Sequence, residues 1–288
     1  MRKALVATFS IVGHDPETGE LGVAVQSKFL AVGAVVPWAR AGVGAVATQA
    51  MANTSYGPRG LDLMARGRSA REAIGELTAV DPDRSHRQVG IVDAAGRSAT
   101  FTGEDCFEWA GGVAGEGFAA QGNILVSGET VEAMAESFRG SGGPLAGRIL
   151  AALRAGQEAG GDSRGKQSAA LLVVREGGGY GGFDDRAVDL RVDDHPEPIE
   201  ELARLYELHR LYFERGSPED AVPVEGEVRE EVVRSLVRLG YLEDERVPDE
   251  ALQRALRAFI RTENFEERER KQGYIDPAVL GFLRERAG

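Results

Sequence analysis

The chain has 288 residues and a mass of 30.8 kDa, enough for one large domain or one and a half, with a core that needs no disulfide staples. Hydrophobic residues at 42% and charged residues at 28% exclude disorder along the whole chain, and a net charge of −12 repels phosphate backbones, so no nucleic acid partner is expected. A single cysteine, Cys106, excludes an intrachain disulfide and a multi-cysteine metal site, and four scattered histidines argue against a histidine-rich one, so neither metal nor cofactor is expected. No apolar run approaches the ~18 residues of a membrane span, so no membrane partner is expected either. Met1-Arg2-Lys3 is basic, but only Ala4 to Ala7 follows as apolar sequence, short of the ~7–15 residues of a secretory h-region. The expected location is therefore the cytoplasm.

In chain order, Thr8 to Gly13 alternates as a strand, Asp15 to Glu20 is a turn cluster, and Leu21 to Ser27 is a second strand. Val32 to Val36 and Gly42 to Thr48 read as further strands around a turn near Pro37. Their Ala, Gly and Val content predicts strands covered on both faces. Gly60 to Ala65 and Ser69 to Leu77 have helical spacing, and Ser69 with Glu72 matches a capping box. Val89 to Asp93 and Ser98 to Phe101 read as a hairpin, and Trp109 to Val113 and Phe118 to Gln121 as short strands. Val131 to Phe138 and Leu145 to Ala155 read as helices, Gln167 to Val174 and Ala187 to Val192 as a strand pair, and Pro198 to Phe213 as a helix. Strands, two helices, strands, two helices, strands: this order predicts an α+β fold of mainly antiparallel sheets with helices outside them.

Glycines cluster before Gly182 and thin out afterwards, where Arg and Glu take over at helical spacing. Ser217 to Gly226 reads as a linker. It separates a domain over 1–216 from one over 225–288, where Val228 to Leu239, Asp249 to Ile260 and Asp276 to Arg286 predict three short helices.

Several blocks fall in an order that carries a resemblance. They are Thr8-Phe-Ser-Ile-Val, Gly22-Val-Ala-Val-Gln-Ser-Lys-Phe29, Gly44-Ala-Val-Ala-Thr-Gln49, Ser55-Tyr-Gly-Pro-Arg-Gly60, His86-Arg-Gln-Val-Gly-Ile-Val-Asp93, Gln121-Gly-Asn123, Gly161-Asp-Ser-Arg-Gly-Lys-Gln-Ser168 and Asp189-Leu-Arg-Val-Asp-Asp-His195. From Thr8 to about Phe213 the chain resembles the family filed as domain of unknown function 1028, which is itself similar to the N-terminal-nucleophile (Ntn) hydrolases. The resemblance implies a four-layer αββα Ntn-hydrolase-like sandwich. In such enzymes the first residue of the mature chain is the nucleophile and its own α-amine is the general base.

On that resemblance Thr8 is the candidate nucleophile. Met1 to Ala7 stands before it, so its amine is blocked unless the Ala7–Thr8 bond is cut or the start lies further on. The bland alternative is a β-branched strand residue. Lys28 is one of only four lysines, and the resemblance puts its ammonium near that amine; the alternative is a lysine reaching solvent. Gln26 and Ser27 fall where proteasome subunits carry a catalytic Asp, and neither is acidic. Gln49, at a strand-to-helix junction, is a candidate oxyanion donor, with Asn53 and Tyr56 just beyond it; the alternative for all three is capping and turn packing. Gln121 and Asn123 flank a glycine and could hold a substrate amide or satisfy buried backbone. Asp162 and Arg164 lie in a glycine-rich loop, where Arg164 could bind a carboxylate or pair across the loop. His86 precedes a strand and is either a substrate contact or a packed residue. Asp193-Asp194-His195, just before Pro196, reads as a helix cap rather than a metal site, and Cys106 as a buried thiol.

The last segment carries a second resemblance, through Leu236-Val-Arg-Leu-Gly-Tyr241, Ala255-Leu-Arg-Ala-Phe259 and Ile275-Asp-Pro-Ala-Val-Leu280. It is similar to peptidoglycan-binding three-helix modules, which implies wall fragments as partners; a dimerising module is the alternative. The expectation for the whole chain is an Ntn-type amidohydrolase acting on a small amide, peptide or modified amino acid. A non-catalytic Ntn-like ligand-binding scaffold is the alternative. Sheets of this kind often assemble through their helical faces, so a homodimer is expected.

Overall fold

The computed structural model describes residues 8–288, and the Met1 to Ala7 segment with its Ala7–Thr8 bond lies outside them. The chain divides into two compact units, one ending at Leu205 and one running from Tyr206 to Gly288. Among the described residues there are eight α-helices and several sheets.

The first unit begins with β1 (Thr8–His14) and β2 (Leu21–Ser27), joined by the turn at Asp15 to Glu20. Asp15 Oδ1 accepts from the Glu17 and Thr18 amides and holds that turn. Next come β3 (Pro37–Arg40) and β4 (Gly44–Ala50). The strand expected over Val32 to Val36 is instead a 3-10 turn at Val32–Ala34, fixed by the Ser168 hydroxyl accepting from the Val32 amide. Helices α1 (Tyr56–Ala65) and α2 (Ala70–Ala79) follow, and the Ser69–Glu72 capping box is present at the start of α2. Then come β5 (Arg87–Asp93), β6 (Ser98–Thr102), β7 (Gly111–Gly115) and β8 (Phe118–Asn123). The strand expected from Trp109 thus starts two residues later. The unit continues with α3 (Glu129–Gly140), α4 (Leu145–Glu158), β9 (Ser168–Val174) and β10 (Arg186–Val192), and α5 (Pro198–Phe213) runs on into the second unit.

Six strands form one antiparallel sheet in the order β10-β9-β2-β1-β8-β7, and four form another in the order β3-β4-β5-β6. Strand alternation sends each side chain to one face or the other. On the first sheet, Phe9, Ile11 and Gly13 face α3 and α4. Gly13 and Gly22 let α4 come close, since a Cβ at Gly13 would lie 2.8 Å from Ile149. On the second sheet, Val46, Val89 and Ile91 pack with Tyr56, Leu61, Ile74 and Leu77 of α1 and α2. The remaining faces meet each other, with Val12, Val23, Val25, Ala45, Ala47 and Val92 buried between the two sheets. Apolar burial at about 25 cal/mol per Å² is the main stabilising term for all three contacts.

The second unit holds α6 (Gly226–Arg238), α7 (Asp249–Thr262) and α8 (Pro277–Ala287). It is more than the expected three-helix module. It also contains the end of α5, 3-10 turns at Pro218–Asp220 and Glu266–Arg268, and a small ribbon of β11 (Val222–Pro223) and β12 (Tyr274–Ile275). The expected linker thus carries a turn and a strand. The core is Val232, Leu236, Leu256, Phe259, Phe265 and Leu283. Asp276 caps α8 by accepting from the Ala278 and Val279 amides, as its place before Pro277 predicts, and it is paired with Arg268 and Arg270.

Candidate functional site

The register brings one row of polar residues across the six-stranded sheet. Thr8 opposes Ser27 on one side and Asn123 on the other, and Ser27 opposes Ser168. Directly opposite residues share a face, so all four side chains face the second sheet. All four residues are buried, and Thr8 Oγ1 donates to Ser27 Oγ at 3.2 Å. One step along, Ser10 and Gln121 oppose each other on the same face.

The second sheet answers with amides. Gln49 of β4 opposes Gln88 of β5, and both are fully buried. Gln49 Nε2 donates to the Thr8 carbonyl at 3.2 Å and to Gln88 Oε1 at 2.8 Å, while its Oε1 accepts from Ser10 Oγ at 2.6 Å. Gln121 Nε2 donates to Ser10 Oγ at 2.7 Å. Gln88 Nε2 donates to the Gly122 carbonyl at 2.7 Å and to Thr102 Oγ1 at 2.9 Å, and Asn123 Nδ2 donates to Gln88 Oε1 at 3.0 Å. A Cβ at Gly90 would collide with the Gln121 amide, so glycine there makes the room that the amide occupies. Buried amides in a low-dielectric interior are stabilising only when so connected.

The backbone just beyond this row is strained. Ala50, after Gln49, has φ +65°, and Ile124, after Asn123, has φ +54°. Left-handed non-glycine backbone costs of order 1–3 kcal/mol, and such strain gathers at functional sites. Gln26 is fully buried on the opposite face of β2 from Ser27, and neither atom of its amide has a hydrogen-bond partner among the described residues.

The expected site residues divide into three groups. Thr8, Ser27, Gln49, Gln121 and Asn123 meet in the network just described. Asn53 and Tyr56 belong to a second cluster around Asp81. Asn53 Nδ2, the Tyr56 hydroxyl and Arg87 Nε all donate to Asp81 Oδ2, at 3.0, 2.9 and 3.0 Å. Burial opposes ionisation of Asp81, but the hydrogen bonds from Arg87, Asn53, the Asp83 amide and Tyr56 outweigh it and hold the carboxyl well below the usual range. Burial first, and then the Asp81 carboxylate, push the Tyr56 hydroxyl up and keep it a donor. The third group lies along the rim. Asp162 is buried and accepts from the Lys28 amide at 2.9 Å and from Arg164 Nη2 at 3.0 Å. Arg164 thus pairs across its own loop. Lys28 is exposed, and its Nζ donates to the Lys166 carbonyl at 3.2 Å. His86 sits on a 3-10 turn at 3.8 Å from the Asp105 carboxylate, with its ring 37% exposed.

Gln88 and Asp81 were not singled out by residue-level reasoning. Gln88 carried a usable signal, since it is a lone amide on the inner face of an otherwise apolar strand, level with Gln49. Asp81-Pro82-Asp83 looks like an ordinary turn. Burial raises the Cys106 thiol above its usual value, and its Sγ contacts the Arg87 carbonyl at 3.4 Å. His195 Nδ1 accepts from the Glu197 amide just ahead of α5, and no group of metal-binding side chains occurs among the described residues.

Comparison with known proteins places these residues in a family. The model described as "Family of unknown function (DUF1028)" matches residues 8–202. The model described as "Putative peptidoglycan binding domain" matches residues 212–283. Among solved structures, the crystal structure of protein SPO2555 from Silicibacter pomeroyi, itself assigned to DUF1028, is similar at a TM-score of 0.64 and 32% identity, covering 77% of this chain and 92% of that one. No curated protein matches.

Proposed function

The chain belongs to the DUF1028 family, and from that premise we propose that its first unit is an Ntn-type amidohydrolase with Thr8 as nucleophile. One observation carries the reading. Thr8 lies on β1, its hydroxyl is buried against Ser27, and its carbonyl is held by an amide reaching over from the other sheet. Holding the carbonyl fixes the residue whose amine must act. The sequence of helices, two facing sheets and helices supports the αββα Ntn-type reading as well.

In the proposed reaction the Thr8 hydroxyl attacks an amide carbonyl of a small amide, peptide or modified amino acid. Its proton passes to the α-amine, whose pKa near ~8 leaves a usable neutral fraction at physiological pH, and from there to the departing nitrogen as the C–N bond breaks; water then hydrolyses the ester left on Thr8. Lys28 has no part in this version, because its ammonium reaches the Lys166 carbonyl at the exposed rim. The amine must first be freed from Ala7. Intact mass and N-terminal sequencing of the purified protein, beside Thr8→Ala, test this. We expect the wild type to begin at Thr8 and the variant to keep its leader. If both keep residues before Thr8, the non-catalytic ligand-binding scaffold becomes the better reading.

A second reading concerns the second unit, and the match to a peptidoglycan-binding model favours it. A cleft of about 440 Å³ there is lined by Tyr241, Leu242, Asp244, Val247 and Arg254, which offer an aromatic face and both signs of charge to a wall fragment. Capture on immobilised peptidoglycan fragments should be lost when residues after Gly216 are removed. Unchanged capture would assign binding to the first unit instead.

A further inference from the structure

The direction of the buried amides follows from their backbone anchors. Gln88 Nε2 donates to the Gly122 carbonyl at 2.7 Å and the Gly111 carbonyl at 3.2 Å. A carbonyl only accepts, so the nitrogen of Gln88 must face these two and its oxygen must face away. That oxygen accepts from Gln49 Nε2 and Asn123 Nδ2. Asn123 is thereby turned as well. A flipped Asn123 would set its oxygen against the oxygen of Gln88. Asn123 Oδ1 therefore points away from Gln88. It is buried, on a residue 1% exposed, and has no hydrogen-bond partner among the described residues. Buried acceptors are rarely left so. The chain of amides ends in an oxygen that requires a donor.

Asn123 lies directly across from Thr8 in the β1–β8 register and on the same face. We propose that Asn123 Oδ1 accepts a hydrogen bond from the α-amine of Thr8, a positioning role that rests on the nucleophile reading above. A terminal amine turns freely about its bond to Cα. With the Thr8 carbonyl held by Gln49, an N–H held by Asn123 stops that rotation and leaves the nitrogen lone pair directed to one place. The role is specific to an acceptor. One N–H of Asn123 Nδ2 is bound to Gln88, and the atom of this side chain left without a partner among the described residues is the acceptor Oδ1.

An acceptor on the amine favours its protonated form, so removing the acceptor lowers the amine pKa. The test uses the full chain, folded with a protease site in place of the residues before Thr8 and then cut to expose Thr8. The pH dependence of α-amine acetylation is read by competitive isotope labelling. In Asn123→Leu the midpoint should fall by about one pH unit, a tenfold change in proton affinity. Gln88→Met, which frees Asn123 to rotate, should give a smaller fall. Gln26→Leu, on the other face of the sheet, should give none. If Asn123→Leu does not fold, Asn123→Ser takes its place. Equal midpoints in the wild type and the folded Asn123 variant would overturn the proposal. The readout needs no turnover. A shift without self-release of the leader by the unprocessed chain would therefore count against the nucleophile reading alone, and self-release without a shift against Asn123 alone.

Discussion

The contact between the two sheets has a polar end and an apolar end, built from the same strands. On β1, Thr8 and Ser10 face the second sheet at one end and Val12 faces it at the other. On β4 and β5, Gln49 and Gln88 give way to Ala47, Ala45 and Val92. The apolar end asks only for volume and burial, which many side chains could supply. At the polar end each atom must find one partner in one direction. Both ends hold the sheets together, but only the polar end defines where individual atoms point.

Removing one hub separates the two ends most sharply. Gln88→Leu leaves the Gly122 carbonyl, Gln49 Nε2 and Asn123 Nδ2 each short of a partner. Unmade buried hydrogen bonds cost roughly 1–3 kcal/mol each, so urea denaturation should show a loss of about 4 kcal/mol or failure to fold. A loss under about 1 kcal/mol would mean that the network is not a unit.

The second effect is acid sensitivity. Asp81 anchors Arg87, the residue before Gln88, and its carboxyl is held below the usual range in the fold. A depressed carboxyl contributes fully above its unfolded value near ~4, and the contribution fades as pH falls through the folded value. Asp81→Asn should cost about 3 kcal/mol at pH 7 and progressively less as the pH is taken well below 4. Denaturation curves at both pH values would decide it, and equal losses would dissociate Asp81 from the acid response. The smallest effect is expected at the apolar end. Val23→Ala should cost about 2 kcal/mol at either pH, through lost burial and a cavity.

The strands were legible because alternation and turn residues mark them locally. β2 and α5 match their expected bounds residue for residue. Val32 to Val36 misled because an apolar run of that length suits a strand and a buried turn equally. What settles it is a hydroxyl 136 residues away, Ser168 Oγ on the Val32 amide. The site was half legible. Thr8 stood out through the family resemblance, Gln49 through its place at a strand-to-helix junction, and Gln121 and Asn123 as two amides around a glycine at a strand end. Their partnership depends on sheet-to-sheet stacking, which no local pattern carries. Lys28 is put beside Thr8 by the resemblance alone. Lys28 lies just past the end of β2 and its Nζ donates to the Lys166 carbonyl, while Ser27, in the strand, meets Thr8.

The seam at the start of the second unit bears on how such a chain could be reassembled by recombination. Arg268 donates to the Arg210 and Leu211 carbonyls, and Arg270 to the Gly216 carbonyl. Both guanidiniums are mostly buried and lean on the Asp276 carboxylate. A crossover at Ser217 to Gly226, where the sequence alone suggests a break, would strand two cations without their backbone acceptors. The transferable cassette therefore starts inside α5. A module joined to a new host at Ser217 would carry its helices with it and leave behind the carbonyls that seat them.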